Sequence, residues 1–242
     1  MSITFTLSGS SSILSSKYYP PINLDPNSEY VIGLINLETY NSFPNIDSSN
    51  NKFHFKNSDG KITYVQIPEG SYEIEDIENY ILREMIQLTT KENIGRKRKL
   101  PLLMIRGNNN TLRTEIKCSV DIDFSKNNSI GHLLGFKPRL LKANTTHESD
   151  FPAKILKVNT LCVGCNVVGD SYRNGKQVHV IHEFFPTVPP GFWIVETPSN
   201  VIYLPINTQE IDELVLKLTD QDGNLVNFRR EVITIRLHLQ KL

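Results

Sequence analysis

Two close pairs of side chains in this 242-residue chain have the spacing of metal or redox sites. Cys162 and Cys165 form a CxxC pattern, and His179 and His182 lie three residues apart, followed by Glu183. A redox CxxC lies at a helix N-terminus, a zinc site needs a second pair of ligands, and zinc-protease histidines share one helix face. Both pairs here lie in strand-like sequence, where residues three apart point to opposite faces. We therefore predict buried cysteines and no metal site.

A third group of polar residues resembles a calcium loop. Asp220, Asp222, Asn224 and Glu231 match four ligand positions of an EF-hand, but Leu225 occupies the position that requires glycine. The flanking segments also read as strands rather than helices, so we interpret Asp220 to Asn224 as a turn. Nucleophile-elbow, Walker A and Rossmann glycine patterns are absent from the sequence. We expect neither an enzyme nor a bound cofactor.

The elements that would position these residues are mainly short strands. Alternating apolar and polar residues at this spacing, without repeated βα units, predict an all-β fold. We expect a single jelly-roll sandwich of two antiparallel sheets. Apolar residues at helical spacing predict one inserted helix at about 72–91. Asp-Gly turns predict two hairpins, one around 57–60 and one around 220–224.

Composition limits the class of protein. The chain has 26 Lys and Arg against 26 Asp and Glu, which argues against a protein that coats nucleic acid over its whole surface. Three cysteines do not suggest a disulfide framework, and no secretory signal or membrane-length apolar run is visible. We expect a soluble protein that is made in the cytoplasm and is not secreted. We assign residues 1–20 to an N-terminal arm and 21–242 to one jelly-roll domain.

Two groups of residues are candidates for contacts with other molecules. Prolines force a corner within an aromatic segment, and the arm carries a Tyr-Tyr-Pro-Pro sequence. Core packing and a subunit interface are the two interpretations of these aromatic residues, which are Tyr18, Tyr19, Phe184, Phe185, Phe192 and Trp193. The basic run Arg96, Lys97, Arg98 and Lys99 is a solvated loop, a nuclear-localisation patch or a nucleic-acid contact.

The order of several segments resembles the vertex (penton) proteins of Polinton/Maverick elements and their adintovirus relatives. The resemblance is one of overall pattern and covers nearly the whole chain. The segments that carry it are Tyr19-Pro-Pro-Ile-Asn-Leu, Tyr30-Val-Ile-Gly-Leu, Phe43-Pro-Asn-Ile, Ile67-Pro-Glu-Gly-Ser-Tyr-Glu-Ile, Asn128-Ser-Ile-Gly-His-Leu-Leu-Gly-Phe, Ile181-His-Glu-Phe-Phe-Pro, Val201-Ile-Tyr-Leu-Pro, Asp220-Gln-Asp-Gly-Asn and Ile233-Thr-Ile-Arg-Leu-His-Leu.

The resemblance implies a structural minor capsid protein. Such a protein forms homopentamers at the five-fold vertices of an icosahedral virus or virus-like transposon shell, beside trimers of a double-jelly-roll major capsid protein. It would be located in the virion capsid, with assembly in the host nucleus. We also hypothesise that the arm, residues 1–20, orders against a neighbouring capsid subunit. The alternative class is a carbohydrate- or receptor-binding jelly roll, because the same sandwich serves lectins.

Overall fold

The computed structural model describes residues 1–57, 60–92, 100–169 and 171–242. Within these ranges the chain has one α-helix, one short 3₁₀ turn and eighteen strands. In chain order the strands and the helix are β1 (Ser2–Gly9), β2 (Ile13–Asn23), β3 (Tyr30–Tyr40), β4 (Lys52–Lys56), β5 (Ile62–Gln66), α1 (Ile74–Glu92), β6 (Leu103–Gly107), β7 (Arg113–Cys118), β8 (Ile122–Asp123), β9 (Leu140–Leu141), β10 (Thr146–Pro152), β11 (Leu161–Cys165), β12 (Ser171–Arg173), β13 (Lys176–Val178), β14 (Val180–Phe184), β15 (Trp193–Glu196), β16 (Leu204–Pro205), β17 (Glu210–Thr219) and β18 (Ile233–Lys241).

The chain forms two compact units. The first, here called the jelly-roll unit, consists of Met1–Phe43 and Val158–Leu242. The second, here called the insertion unit, consists of Pro44–Lys157 and lies in the sequence between β3 and β11. The sequence predicts one domain over 21–242, whereas the structure divides this range between the two units.

Two antiparallel sheets build the jelly-roll unit. Their strand orders are β1-β18-β3-β15, with β16 also paired to β3, and β14-β11-β17-β2. When the eight main strands are counted along the chain, these orders become 1-8-3-6 and 5-4-7-2. Sequential strands alternate between the sheets, except for the neighbouring strands 4 and 5, as in a jelly roll. The predicted fold class is confirmed.

Alternating burial along β18, and along β17 from Leu214 to Leu218, suits the inner positions that these two strands take in their sheets. Inward positions on both strands are apolar and fully buried, while the residues between them are polar or half-buried. A strand with a period of two places one row of side chains in the space between the sheets. The inward residues are Leu214, Leu216 and Leu218 on β17, and Ile233, Ile235, Leu237 and Leu239 on β18.

The N-terminus differs from the predicted arm. β1 pairs with β18 of the same chain from Ser2 to Gly9, and β2 pairs with β17. Phe5 and Leu7 on β1 are buried in the core, because alternate residues of this strand are apolar and face the second sheet. Residues 2–9 and 13–20 are therefore parts of the sandwich, and a separate arm is not formed.

The second predicted hairpin is also wrong. Asp220 to Asn224 do form a tight turn, in which Gly223 N–H donates to the Asp220 carbonyl. However, β17 and β18 belong to different sheets. After a single bridge between Thr219 and Leu225, the chain crosses to the other sheet and buries Val226 and Phe228 in the core on the way.

The insertion unit packs one helix against two small antiparallel sheets. The sheet orders are β5-β4-β8-β9 and β10-β7-β6, and α1 contacts β6 and β5. The β4–β5 hairpin and the helix are confirmed, the latter within two residues at each end. Ile77, Ile81 and Met85 on the helix are fully buried, as their spacing predicts.

Side chains of α1 also accept hydrogen bonds from backbone N–H groups, one at the N-terminal end of the helix and one on a neighbouring strand. The Glu73 N–H donates to the Asp76 carboxylate at 3.1 Å, which satisfies one free donor of the first turn. The Ile105 N–H on the edge strand β6 donates to Glu78. The helix thus covers the open edge of that sheet, which would otherwise invite pairing with another strand.

Candidate subunit interface

The two sheets of the jelly-roll unit end on the same side, in the edge strands β14 and β15. A hydrogen bond between His182 Nε2 on β14 and Glu196 Oε1 on β15, at 2.9 Å, links these two edges. The opposite edges are β1 and β2, where the rings of Phe5 and Tyr18 meet at 5.5 Å. The sandwich therefore presents two different edges on opposite sides, and within the described residues each edge strand pairs on one side only.

A rigid corner connects β14 to β15. Pro189, Pro190, Gly191 and Phe192 form a turn in which the Phe192 N–H donates to the Pro189 carbonyl, with Gly191 at φ +84°. Proline followed by glycine suits a type II turn, since the third position needs positive φ. Asn41 fixes this corner, because its side-chain amide donates to the Val188 carbonyl at 2.7 Å and its backbone pairs with Gly191 and Phe192.

Large apolar side chains stand exposed on this edge. Phe185 is 70% exposed and Phe192 is 62% exposed, at the two ends of the corner. Trp193 and Val195 point outward from β15, and Trp193 meets Tyr40 of β3 edge to face at 4.5 Å. We call these five residues, Tyr40, Phe185, Phe192, Trp193 and Val195, the edge patch.

The segment that carries most of the edge patch has little charge, and the nearby Glu38 of β3, directly opposite Val195, is paired with Arg236 at 2.7 Å. Residues 184–209 contain a single ionisable acid or base, Glu196, and this carboxylate is bound by His182. The cores of protein interfaces are depleted of charged residues and enriched in aromatic ones. An exposed aromatic surface on a rigid, charge-poor strand edge therefore has the chemistry of a protein contact rather than of a solvated face.

The structure divides the predicted contact residues into three groups. Phe185, Phe192 and Trp193 lie at one corner, and Tyr19 lies fully exposed on β2 at the opposite edge. Phe184 is buried in the core, which removes it from the candidate interface. Tyr18 packs against the same core.

The predicted basic patch, Arg96, Lys97, Arg98 and Lys99, lies outside the described residues.

Two members of the edge patch were missed by sequence reasoning. Tyr40 lies at the end of β3 and Val195 in the middle of β15, and neither stands out by residue type. The signal that could have found this surface is the low charge of residues 184–209, where Glu196 is the one charged side chain. Such a stretch contrasts with the rest of a chain in which about every fifth residue is charged.

All three cysteines are free and buried. Cys162 and Cys165 lie on β11, and Cys165 points into the core. Burial raises the pKa of the Cys165 thiol to about 11, and burial also raises the pKa of Cys162 and Cys118. Thiolates are the reactive form of cysteine, so the CxxC pair has the properties of core residues, as predicted.

The candidate metal ligands do not converge. His179 bonds through Nδ1 to the Val168 carbonyl, whereas His182 binds Glu196. The Asp220 carboxylate accepts from the Asp222 and Asn224 N–H groups and so holds the turn. Among the residues that the structure describes, no group of three or more His, Cys, Asp or Glu side chains is arranged to hold a metal ion.

A hydrogen-bonded chain of polar groups lies on the outer face of the first sheet. His238 of β18 bonds through Nε2 to Ser2 Oγ at 2.7 Å and through Nδ1 to Tyr203 Oη at 2.8 Å. The histidine thus joins β1 and the segment before β16 to β18.

In the described part of the chain, no helix is both long and apolar enough to cross a membrane.

An open cleft of about 810 Å³ lies at one end of the jelly-roll unit. Its walls come from the β2–β3 connection, the start of β3, residues 205–209 and Leu242. The Asp25 and Glu29 carboxylates and the Asn207 and Gln209 amides line it beside Tyr30. Asp25 is already engaged, because it accepts from the Ser28 hydroxyl at 2.7 Å and the Asn27 N–H at 3.0 Å.

Comparison with known proteins identifies a solved structure with a similar fold. No protein-family model and no curated protein matches the sequence. Among solved structures, the chain is similar to the crystal structure of the mavirus penton protein, with a TM-score of 0.50 and 11% sequence identity over 100% of both chains. At this identity the likeness establishes a shared fold over the full length, which includes the insertion as well as the sandwich.

Proposed function

We propose that this chain is a structural minor capsid protein, a penton that forms homopentamers at the vertices of an icosahedral virus or virus-like transposon shell. The observation that carries the proposal is the edge patch, an exposed aromatic surface at the edge of the sandwich. The full-length likeness to the mavirus penton protein supports the same conclusion. So does the sequence resemblance to the vertex proteins of Polinton/Maverick elements and adintoviruses.

A closed ring needs two different complementary surfaces on each subunit, because each copy contacts the next through a heterologous interface. The jelly-roll unit offers such a pair. The edge patch lies beside β14 and β15, and Tyr19 is exposed on β2 at the other edge. In the proposed ring, the edge patch of one copy packs against the β1–β2 edge of its neighbour.

The proposal also names a second partner and a location. In the assembled shell the pentamer would be surrounded by a double-jelly-roll major capsid protein, and the protein would reside in the virion capsid after synthesis in the cytoplasm and assembly in the host nucleus. The proposed role is structural, without a catalytic step.

The test is the mass of the purified protein in solution, followed by negative-stain images. We expect light scattering to give five times the 27.6 kDa of one chain, and images to show rings of five. A protein that stays monomeric at every concentration and shows no rings would contradict the proposal.

Matched variants test the edge patch itself. Phe185→Ser combined with Phe192→Ser removes two exposed aromatic side chains that the core does not use, so the monomer should stay folded by circular dichroism while the pentamer dissociates. Tyr172→Ser is the control, because Tyr172 is equally exposed but lies on β12, away from the patch. If the double variant assembles as well as the control does, a different surface forms the ring.

The residues that line the cleft favour a second candidate function, carbohydrate binding. Carboxylate and amide side chains are suited to hydroxyl-rich ligands, and residues of both types line the cleft. A glycan array separates this carbohydrate-binding alternative from the shell role. Specific glycan binding by a protein that does not assemble would favour the alternative.

A further inference from the structure

A buried histidine occupies the insertion unit without a hydrogen-bond partner on one ring nitrogen. His54 of β4 is only 8% exposed, and no described group bonds to its Nδ1 atom. Its neighbours Phe53 and Phe55 point into the core of the unit. Because successive side chains on a strand alternate, His54 faces the opposite side of the sheet.

The strands next to His54 place charged and aromatic side chains near its imidazole ring. Tyr64 lies directly opposite on β5, with its ring 5.5 Å from the imidazole. The Lys52 ammonium of β4 sits over the same Tyr64 ring at 5.0 Å. Asp123 of β8 and Lys126 lie on the other side of His54 and act on it electrostatically.

The nearby carboxylate is already engaged. Asp123 Oδ1 accepts from the Ser125 N–H and hydroxyl, and Oδ2 lies 3.8 Å from the Lys126 ammonium. Protonated His54 would thus lie near the ammonium groups of Lys52 and Lys126. The nearby Asp123 carboxylate already has other hydrogen-bond and ion-pair partners. In the imidazolium both ring nitrogens carry protons, so Nδ1 would become a buried donor without an acceptor.

We propose that His54 makes the insertion unit sensitive to acid, and that its protonation loosens β5 from β4. β5 is the element that yields, because it is the edge strand of its sheet and its outward residues Ile62 and Tyr64 are half exposed. This inference is independent of the proposed capsid role.

The direction of the effect follows from linkage. Burial first, and then the charge of Lys52, lower the pKa of His54 below its ordinary value near 6.5. A histidine with a lowered pKa in the folded state stabilises the fold above about pH 6.5, and this stabilisation is lost as the pH falls below that value. The insertion unit should therefore open more often at pH 5 than at pH 7.5.

Hydrogen exchange on the full chain tests the proposal. After correction for the intrinsic pH dependence of exchange, residues 62–66 should lose protection between pH 7.5 and 5.0. His54→Gln cannot titrate and should remove this change. His147→Gln is the control, because His147 is a partly exposed histidine of the same unit that bonds to the Lys142 carbonyl.

Two results would overturn the inference. One is wild-type protection that does not change with pH, and the other is an unchanged loss of protection in His54→Gln. If that variant fails to fold, an NMR titration of the histidines in the wild-type chain decides. His54 must then titrate below the exposed histidines, and an ordinary pKa for His54 would refute the proposal.

Discussion

Two glycines mark places where another part of the chain approaches too closely for a side chain. A Cβ on Gly135 would lie 2.1 Å from the Phe151 carbonyl oxygen, and this residue has φ +83°. A Cβ on Gly33 of β3 would lie 2.5 Å from Val201. Because the backbones approach closely here, the Gly135 carbonyl accepts a hydrogen bond from the Phe151 N–H at 3.0 Å. This bond links Gly135 to β10, near the C-terminal end of the insertion unit.

Gly135→Ala should destabilise the insertion unit strongly. The substitution adds left-handed strain of about 1–2 kcal/mol to a backbone clash worth about 1–3 kcal/mol. Gly223→Ala is the matched control, because Gly223 has a similar φ of +85° but no atom within 4 Å of its Cβ position. Thermal melts should separate the two variants, and equal melting temperatures would show that the contact at Gly135 relaxes freely.

At the scale of elements, β1 is the strand whose role changed most between sequence and structure. It runs along β18 for its whole length, and its outward residues Ser2, Thr4, Thr6 and Ser8 all carry small hydroxyl groups. Its inward residues Phe5 and Leu7 are buried. The strand therefore contributes to the core, and its polar outer row keeps this edge of the first sheet from being apolar.

Phe5→Ala combined with Leu7→Ala should unfold the jelly-roll unit or lower its stability severely. Each buried large-to-alanine change costs about 2–5 kcal/mol, against a total stability of about 5–15 kcal/mol for a typical domain. The control is Thr4→Ala with Thr6→Ala on the outer face, which should change stability by less than about 1 kcal/mol. Denaturant titration measures both, and a double variant as stable as its control would return β1 to the status of a peripheral arm.

At the scale of the whole molecule, the zero net charge is the sum of a negative jelly-roll unit and a positive insertion unit. The jelly-roll unit has eight Lys and Arg against twelve Asp and Glu, whereas the insertion unit has eighteen against fourteen. Copies of the chain could thus attract one another through unlike units, without using the edge patch. Ionic strength separates these two modes of association, because exposed charges are screened by salt and apolar contacts are not.

We expect the assembly to persist when salt is raised from low concentration to 0.5 M. The edge patch is apolar, and two carboxylates next to it already have partners within the chain, Glu196 with His182 and Glu38 with Arg236, so screening should change the contact little. Sedimentation or light scattering across the salt series provides the measurement. Dissociation of the oligomer at high salt would instead assign the contact to the oppositely charged units.

Local patterns in the sequence determined much of this protein. Alternation on β17 and β18 and helical spacing at Ile77, Ile81 and Met85 fix which faces are buried, because burial of an apolar row follows directly from the period of the element. The same reasoning identified the fold class, the β4–β5 hairpin and the burial of Cys162 and Cys165. It also identified the aromatic corner at Phe185, Phe192 and Trp193.

Only the tertiary structure decided how distant segments combine. The turn at Asp220 to Asn224 looks the same in sequence whether the next strand returns to the same sheet or crosses to the other, and only pairing with β3 and β1 resolves this for β18. The same holds for the insertion of a second compact unit after β3, for the burial of Phe184 and for the position of Tyr40 beside Trp193. Strand pairing joins residues far apart in the chain, and no local periodicity carries that information.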